Sequence, residues 1–402
     1  MQKRNKRIFF VLAVILFSLI INGIDFNSIF GIENNFYTSY SEVEKANKEG
    51  AFGNFISMSL NEDEVSTDNK KEGNGSVLFK LFGFIPIRKV NVRIIPEDDV
   101  YVGGSPIGLA VSADGALVVS DVVVSAKDNQ ILKNKSIKNG DIIKKINGKD
   151  IKNIDDIDEA LQSNNSNEAD VEIIRNNKSK TLKVGLLKDI SNRYKLGVWV
   201  KNSLSGIGTL TFVKKNGEYG ALGHPITNSN SDSIVPVKDG NIYNCNLIGI
   251  NKGQKNKPGE LRGVFLQKNP IGEITKNTAY GIFGKTENID KLVDMNRVVS
   301  IGGRLSVKPG KAKIVSSVSG IQEEYEIEII KANYQTKSND KSIVFRVTDK
   351  DLINLTGGIV QGMSGSPIIQ DGKLVGAVTH VFLADSTKGY GVYSDWMLEQ
   401  FD

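Results

Sequence analysis

Gly362-Met363-Ser364-Gly365-Ser366-Pro367 decides how this sequence is read. Small residues on either side of a serine, followed by proline, let the backbone turn tightly enough to aim two main-chain N–H groups at one point. A serine at the tip of such a turn can attack a carbonyl while those N–H groups hold the charge that develops on its oxygen. The plain alternative is a glycine-rich hairpin with no chemistry, and a short motif alone does not decide between them.

A serine hydroxyl is hardly ionised at neutral pH and needs a base. The chain has two histidines, His224 and His380. His224 lies in Gly220-Ala221-Leu222-Gly223-His224-Pro225, a turn between strand-like runs from which a ring can project into a cleft. His380 follows the Leu374–Val378 run, close downstream of Ser364. Position favours His224 as base, since a base and a serine drawn from two packed halves leave the cleft between them. His380 then reads as a residue packed beneath or beside the site. An acid has to hold the imidazole in the right tautomer. Asp232, Asp349, Asp351, Asp371, Asp385 and Asp395 are available. Asp349 follows the Ile343–Val347 run and can return to a common edge, but spacing does not choose between Asp349 and Asp351. Asp371, in Gln370-Asp371-Gly372-Lys373, is most simply a hairpin residue.

The 402 residues are enough for two or three domains, and the net charge of +5 is spread along the chain. No basic stretch interleaved with aromatics points to nucleic acid. Cys245 is the only cysteine, so no intrachain disulfide forms, and its surroundings carry no thiol-protease signature. Two histidines are too few for a site built on several, and no metal or organic cofactor is expected. Lys3, Arg4, Lys6 and Arg7 precede an apolar run from Ile8 to Ile21, broken only by Ser18. The run is short for an ordinary spanning helix, long for a signal-peptide core, and lacks an Ala-x-Ala cleavage site. Residues 1–24 therefore read as an uncleaved signal-anchor touching the membrane through 8–24, with all that follows on the outer side.

Residues 25–75 read as a flexible tether, because the stretch from Asn61 to Gly75 has almost no apolar content. Residues 76–100 form a β lead-in, in which Val90, Val92 and Ile94 alternate with polar residues. From 101 to 188 the pattern is that of a small mixed domain. Asn147-Gly148 marks a tight hairpin, and Ile154, Ile157 and Leu161 fall at helical spacing. Gly140-Asp141-Ile142-Ile143, Ile146-Asn147-Gly148 and Ile151 make this stretch resemble a PDZ domain. That resemblance implies that a peptide adds as a strand to a sheet edge and that a glycine-rich loop captures its carboxylate. By position the loop is Ser105, Pro106, Ile107, Gly108 and Leu109, although it departs from the usual Gly-Leu-Gly-Phe. Residues 194–402 hold many short strand-like runs between turn signals, the pattern of an all-β barrel or sandwich.

Taken together, the anchor, the PDZ-like module and the two motifs Leu222-Gly223-His224-Pro225 and Gly357-Gly358-Ile359-Val360-Gln361-Gly362-Met363-Ser364-Gly365-Ser366-Pro367-Ile368 resemble the SpoIVB peptidase family. Lys80 to Pro86 and Ser203 to Phe212 add to the match. The resemblance implies a mainly β chain, with a PDZ-like α+β domain followed by a chymotrypsin-like double β-barrel behind an N-terminal transmembrane anchor. It implies a serine endopeptidase with Ser364 as nucleophile, His224 as base, Asp349 as acid, and an oxyanion hole from the N–H groups of Gly362 and Ser364. It further implies a place at the forespore membrane, facing the intermembrane space. There the enzyme cleaves itself, within about 45–75 here, and a membrane regulator, so triggering intramembrane processing of pro-sigma-K. Two other readings stand beside it: a catalytically idle PDZ scaffold, and a general extracytoplasmic quality-control serine protease. In the latter the PDZ usually follows the protease domain, whereas here it precedes it.

Overall fold

Strands make up most of the described residues. The computed structural model describes residues 35–38, 43, 47, 56–60, 73–94 and 99–401, apart from 123, 126–130, 133, 177, 228–233 and 333–339. The expected anchor over 1–24 lies outside the described residues. Among those described, no helix is long and apolar enough to cross a membrane.

Asn35–Thr38, Ile56–Leu60, Gly73–Leu81 and Ile85–Ile94 form a four-stranded sheet, ordered first, fourth, third, second. Alternate residues Val77, Phe79, Val90 and Val92, with Met58, are buried on it, as period-two patterning requires. Phe82 and Gly83 turn the hairpin at positive φ. The tether expected over 25–75 is therefore corrected. Two short strands lie within it and the hairpin begins at Gly73. Most of the stretch whose lack of apolar residues suggested a tether, 61–72, lies outside the described residues.

The remaining long strands join one sheet system that closes on itself. Its spine is the sixteen-residue strand Pro106–Asp121, antiparallel to Val198–Lys214. The far part of that pair borders one core, built on Ala116, Val118, Ile143, Ile146, Val171 and Ile173. Helix Ile154–Gln162 covers this core with Ile157, Ala160 and Leu161. Asn153 and Asp156 close its N-terminus as a capping box. Asn147 and Gly148 take the positive φ that the hairpin reading expects. Asp141 is fully buried and binds Arg175 at 2.6–2.7 Å and the Lys138 N–H at 2.7 Å, so its charge is paired rather than stranded.

The near part of the same ribbon belongs elsewhere. Ile107, Leu109 and Val111 pack with Leu210, Val213, Tyr219, Ala221, Ile242, Ile274 and Ile282 in a second core. A third core gathers Ile314, Ile327, Phe345, Ile368, Val375, Val378, Val392 and Trp396. The boundaries expected at 101 and 188 therefore move. Residues 106–111 pack with the second core, while Tyr194, Leu196, Val198 and Val200 pack with the first. A single long ribbon serves two cores, and it passes from one to the other around Gly115, which has φ 127°.

Candidate active site

The serine loop leaves the third core and is stapled to a strand of the second. Thr209 and Thr211 lie on one face of Val198–Lys214, both buried. The Thr209 N–H donates to the Ser364 carbonyl at 2.9 Å, Thr209 Oγ1 to the Gly362 carbonyl at 2.7 Å, and Thr211 Oγ1 to the Gly365 carbonyl at 2.8 Å. Gly362 and Gly365 have φ of 96° and 98°. A Cβ on Gly365 would sit 2.0 Å from the Thr209 carbonyl oxygen, so only glycine fits where loop and strand meet.

These staples orient the loop amides. The Gln361 carbonyl accepts from the Leu261 N–H, and the Met363 carbonyl from the Ser366 N–H. In a trans peptide the N–H points opposite its carbonyl. The N–H groups of Gly362 and Ser364 are thereby turned away from these bonds, and neither meets a protein acceptor among the described residues. Two oriented, unpartnered donors beside a serine are what an oxyanion requires.

His224 follows Leu222 and Gly223, which have φ of 69° and 70°. Leucine rarely takes this left-handed conformation. It is held there by its buried side chain, packed over Gly208, and by its N–H, bound to the Thr209 carbonyl. The turn delivers His224 to an open cleft of about 670 Å³ whose lining includes Ser364, Gly362, His380, Lys341 and Tyr390. His224 Nδ1 lies 2.9 Å from the Pro225 carbonyl oxygen. A carbonyl only accepts, so Nδ1 carries the proton and Nε2 is left as the basic nitrogen. Burial pushes the His224 pKa below its ordinary value, partly opposed by the Pro225 bond and the Asp340 charge. Ser364 Oγ donates to the Thr379 carbonyl at 2.9 Å.

His380 stands beside this pair. Its ring centroid is 5.1 Å from that of His224, and its Nδ1 is 3.7 Å from Asp340 Oδ2. Burial and the neighbouring His224 push its pKa down to about 4, against the pull of Asp340. Among the described residues no group of three or more His, Cys, Asp or Glu is placed to hold a metal ion.

Asp349, the acid that the family resemblance implied, is not at this cleft. It is the N-cap of helix Lys350–Thr356. Oδ1 accepts from the Asp351 and Leu352 N–H groups, and Oδ2 from that of Glu326. It faces a separate surface pocket with Glu323, Tyr325 and Asp351. The correction has a local cause: the segment Asp349-Lys350-Asp351-Leu352 starts a helix, and an aspartate there satisfies free N–H groups. Of the other carboxylates weighed, Asp371 sits at positive φ in its hairpin, and Asp385 binds Thr387 and Lys388. Asp395 is fully buried against Arg304 at 2.9 Å. Asp232 lies outside the described residues.

The loop assigned to carboxylate capture is corrected too. Pro106, Ile107, Gly108 and Leu109 form a strand bonded to Val198–Lys214 on one edge, and all but Pro106 also to Asp239–Asn244 on the other. Ile107 and Leu109 are buried, and the Ser105 carbonyl accepts from the Leu210 N–H. Both edges are used, so no peptide can add there. The groove that is open runs instead between helix Ile154–Gln162 and Lys195–Val200, about 430 Å³ in volume. Ile154, Leu161, Leu196 and Val198 line it. Its sequence signal is Leu196-Gly197-Val198, with Gly197 at φ 73°. Cys245 is buried, which pushes its thiol pKa up.

The sequence model of the SpoIVB peptidase S55 family matches residues 192–398, just over half of the chain. The chain belongs to the SpoIVB peptidase family. This SpoIVB-family chain is accordingly a serine peptidase, and the match spans His224, Ser364, His380 and Asp340. No curated protein matches it. Among solved structures it is similar to the PDZ domain of the SdrC-like protein of Listeria monocytogenes, at 19% identity and TM-score 0.18, covering 22% of this chain and 90% of that one. It is also similar to the Rv3671c protease of M. tuberculosis in its active form, at 11% identity and TM-score 0.30, covering 49% and 73%. The inactive form of that protease aligns at 10% identity and TM-score 0.30, covering 48% and 82%.

Proposed function

We propose that this chain is a serine endopeptidase working by acyl transfer, with Ser364 as nucleophile and His224 as general base. The observation that carries the proposal is the meeting, in one cleft, of Ser364, a histidine whose free nitrogen is Nε2, and the unpartnered amides of Gly362 and Ser364. Ser364 Oγ attacks the scissile carbonyl and gives its proton to His224 Nε2. The two amides hold the oxyanion. His224 then protonates the leaving amine, and water hydrolyses the acyl-enzyme. The second and third cores, one carrying the His224 turn and the other the Ser364 loop, support the chymotrypsin-like double-barrel reading.

The groove at Leu196-Gly197-Val198 supports peptide capture by the PDZ-like unit. Family membership supports a role in sporulation signalling. In that role a signal-anchored enzyme on the forespore membrane cuts its own N-terminal region and a membrane regulator, so releasing the processing of pro-sigma-K.

The test uses the full-length protein in membranes, following its N-terminal shortening and its labelling by a fluorophosphonate. Ser364→Ala and His224→Ala are expected to lower turnover by roughly 10⁴- to 10⁶-fold. Processing at the wild-type rate in Ser364→Ala would falsify the nucleophile assignment. One observation favours an idle PDZ scaffold instead: Ser364 Oγ is bonded to the Thr379 carbonyl. That reading predicts no fluorophosphonate labelling at all. Indiscriminate digestion of unfolded casein would favour a quality-control protease.

A further inference from the structure

The site needs a negative charge for the imidazolium that forms on His224, and Asp349 is capping a helix elsewhere. We propose that Asp340 and His380 are the positioning pair of this peptidase, with the Asp340 carboxylate acting on His224 alongside and through the His380 ring. This deepens the Ser364–His224 reading and rests on it.

Three observations converge. First, tautomer and charge are separate jobs, which a triad carboxylate performs together. Here the Pro225 carbonyl performs the first, holding Nδ1–H at 2.9 Å. A neutral carbonyl cannot perform the second. Second, Asp340 is in place for it. Its main chain is tied to the strand bearing His380, since Thr379 Oγ1 donates to the Asp340 carbonyl at 2.6 Å. Its carboxylate lies 3.7 Å from His380 Nδ1, and its charge acts on both imidazoles. Third, His380 Nδ1 is buried with no hydrogen-bond partner among the described residues, and the Asp340 carboxylate lies slightly beyond bonding distance from it. Hydrogen bonds of this kind are often long in a resting enzyme and tighten as charge develops. A buried, unpartnered nitrogen is costly, and closing on the carboxylate would relieve that cost.

The titratable groups around His380 are His224, Asp340 and Lys341, with Tyr390 opposite on the paired strand. At neutral pH His380 is uncharged, so it separates the forming imidazolium from Asp340 without repelling it. As Ser364 Oγ bonds to the substrate carbonyl, its proton passes to His224 Nε2, Asp340 stays ionised, and the proton leaves with the amine. Nothing is oxidised or reduced.

The experiment measures kcat/KM against pH for the full-length protein on a peptide ester, with active sites counted by fluorophosphonate titration. Asp340→Asn keeps the shape and removes the charge. It is expected to lower kcat/KM per titrated site by roughly 10²- to 10⁴-fold and to move the acid limb to lower pH, because both histidines lose the group that raises their pKa. His380→Phe keeps a ring and removes Nδ1. Adding Asp340→Asn to it is expected to cost far less than in the wild type, since the two act as a unit. Asp340→Glu is expected to recover part of the rate. Asp349→Asn is expected to stay within about threefold of wild type, because asparagine caps a helix as well as aspartate. The proposal is overturned if Asp349→Asn carries the loss while Asp340→Asn keeps the wild-type rate. It is also overturned if Asp340→Asn only reduces the number of titrated sites and leaves the acid limb where it was. Full activity in Ser364→Ala would instead sink the underlying peptidase assignment, and this pair with it.

Discussion

His224 Nδ1 lies 2.9 Å from the carbonyl oxygen of Pro225, the next residue in the chain. The ring proposed as base is therefore oriented by its own turn. Thr209 anchors that turn by accepting from the Leu222 N–H, and the serine loop through two hydrogen bonds. Base and nucleophile are thus referred to one strand, and an error in either is an error relative to Thr209.

The pH dependence follows from burial. It holds His224 below the ordinary histidine value and His380 at about 4. A base must be neutral to accept a proton, so kcat/KM is expected to stay level from pH 7 down to the ordinary histidine range, about 6.5, and to fall only below it. An acid limb centred above that value would contradict the burial argument. The stability effect has a definite sign. Between about 6.5 and the lowered folded values, the unfolded chain binds more protons than the folded one. Stability is therefore lost as pH falls through that window and is unaffected above it. Urea midpoints at pH 7 and pH 5 measure it.

Asp349→Ala tests the capping role. Loss of an N-cap costs about 1 kcal/mol, within a range of roughly 0.5–2. The midpoint of urea unfolding is expected to fall by that amount, while kcat/KM per titrated active site changes little. A catalytic loss with an unchanged midpoint would return Asp349 to the active site.

Gly365→Ala puts a methyl group 2.0 Å from the Thr209 carbonyl oxygen, at φ 98°. Loop and strand have to part, so a loss of several kcal/mol is expected, about 3 or more. Thr211→Val is the milder counterpart. It leaves the Gly365 carbonyl without its donor, at a cost of roughly 1–3 kcal/mol. Fluorophosphonate labelling is expected to slow with it, because a misplaced loop spoils the oxyanion geometry. An unchanged labelling rate in Thr211→Val would show that the threonine staple does not position the serine.

Ile154→Arg tests the groove. Ile154 is partly exposed at the first turn of helix Ile154–Gln162 and lines the cleft facing Leu196 and Val198. An arginine there fills the groove without entering the core. Fluorescence polarisation of a labelled pentapeptide with a free, apolar C-terminal residue is expected to show binding weakened by about tenfold or more, the effect of losing a central apolar contact. Cleavage of a small ester is expected to be unchanged. Equal binding by the variant would place peptide capture elsewhere.

Features with local causes were legible in the sequence. Asn147-Gly148 announces a two-residue hairpin because both positions need positive φ. Ile154, Ile157 and Leu161 announce a helix because one apolar face must be covered. Gly362 to Pro367 and Leu222 to Pro225 announce tight turns for the same kind of reason. The misreadings share another kind of cause. Ser105 to Leu109 look like a glycine-rich loop, yet the strands that cover both edges of most of it come from Val198–Lys214 and Asp239–Asn244, far along the chain. The expected tether holds two short strands, Asn35–Thr38 and Ile56–Leu60, because the stretch poor in apolar residues covers only its last part, from Asn61. Asp349 followed a strand and preceded the serine, but it also stood where a helix begins, and capping explains it more simply.

The amino-acid sequence by itself determined the serine turn, the histidine turn and the mainly β character, because each depends on backbone conformations that neighbouring residues impose. Only the tertiary structure decided which carboxylate stands beside the two histidines and which strand faces an open groove. Asp340 reaches the site because its carbonyl is bonded to Thr379, beside His380 on a strand many residues away. The edge at Val198–Val200 faces a groove because helix Ile154–Gln162 lies across it. Both depend on register between distant segments, which side-chain burial and strand pairing set together and no local pattern encodes.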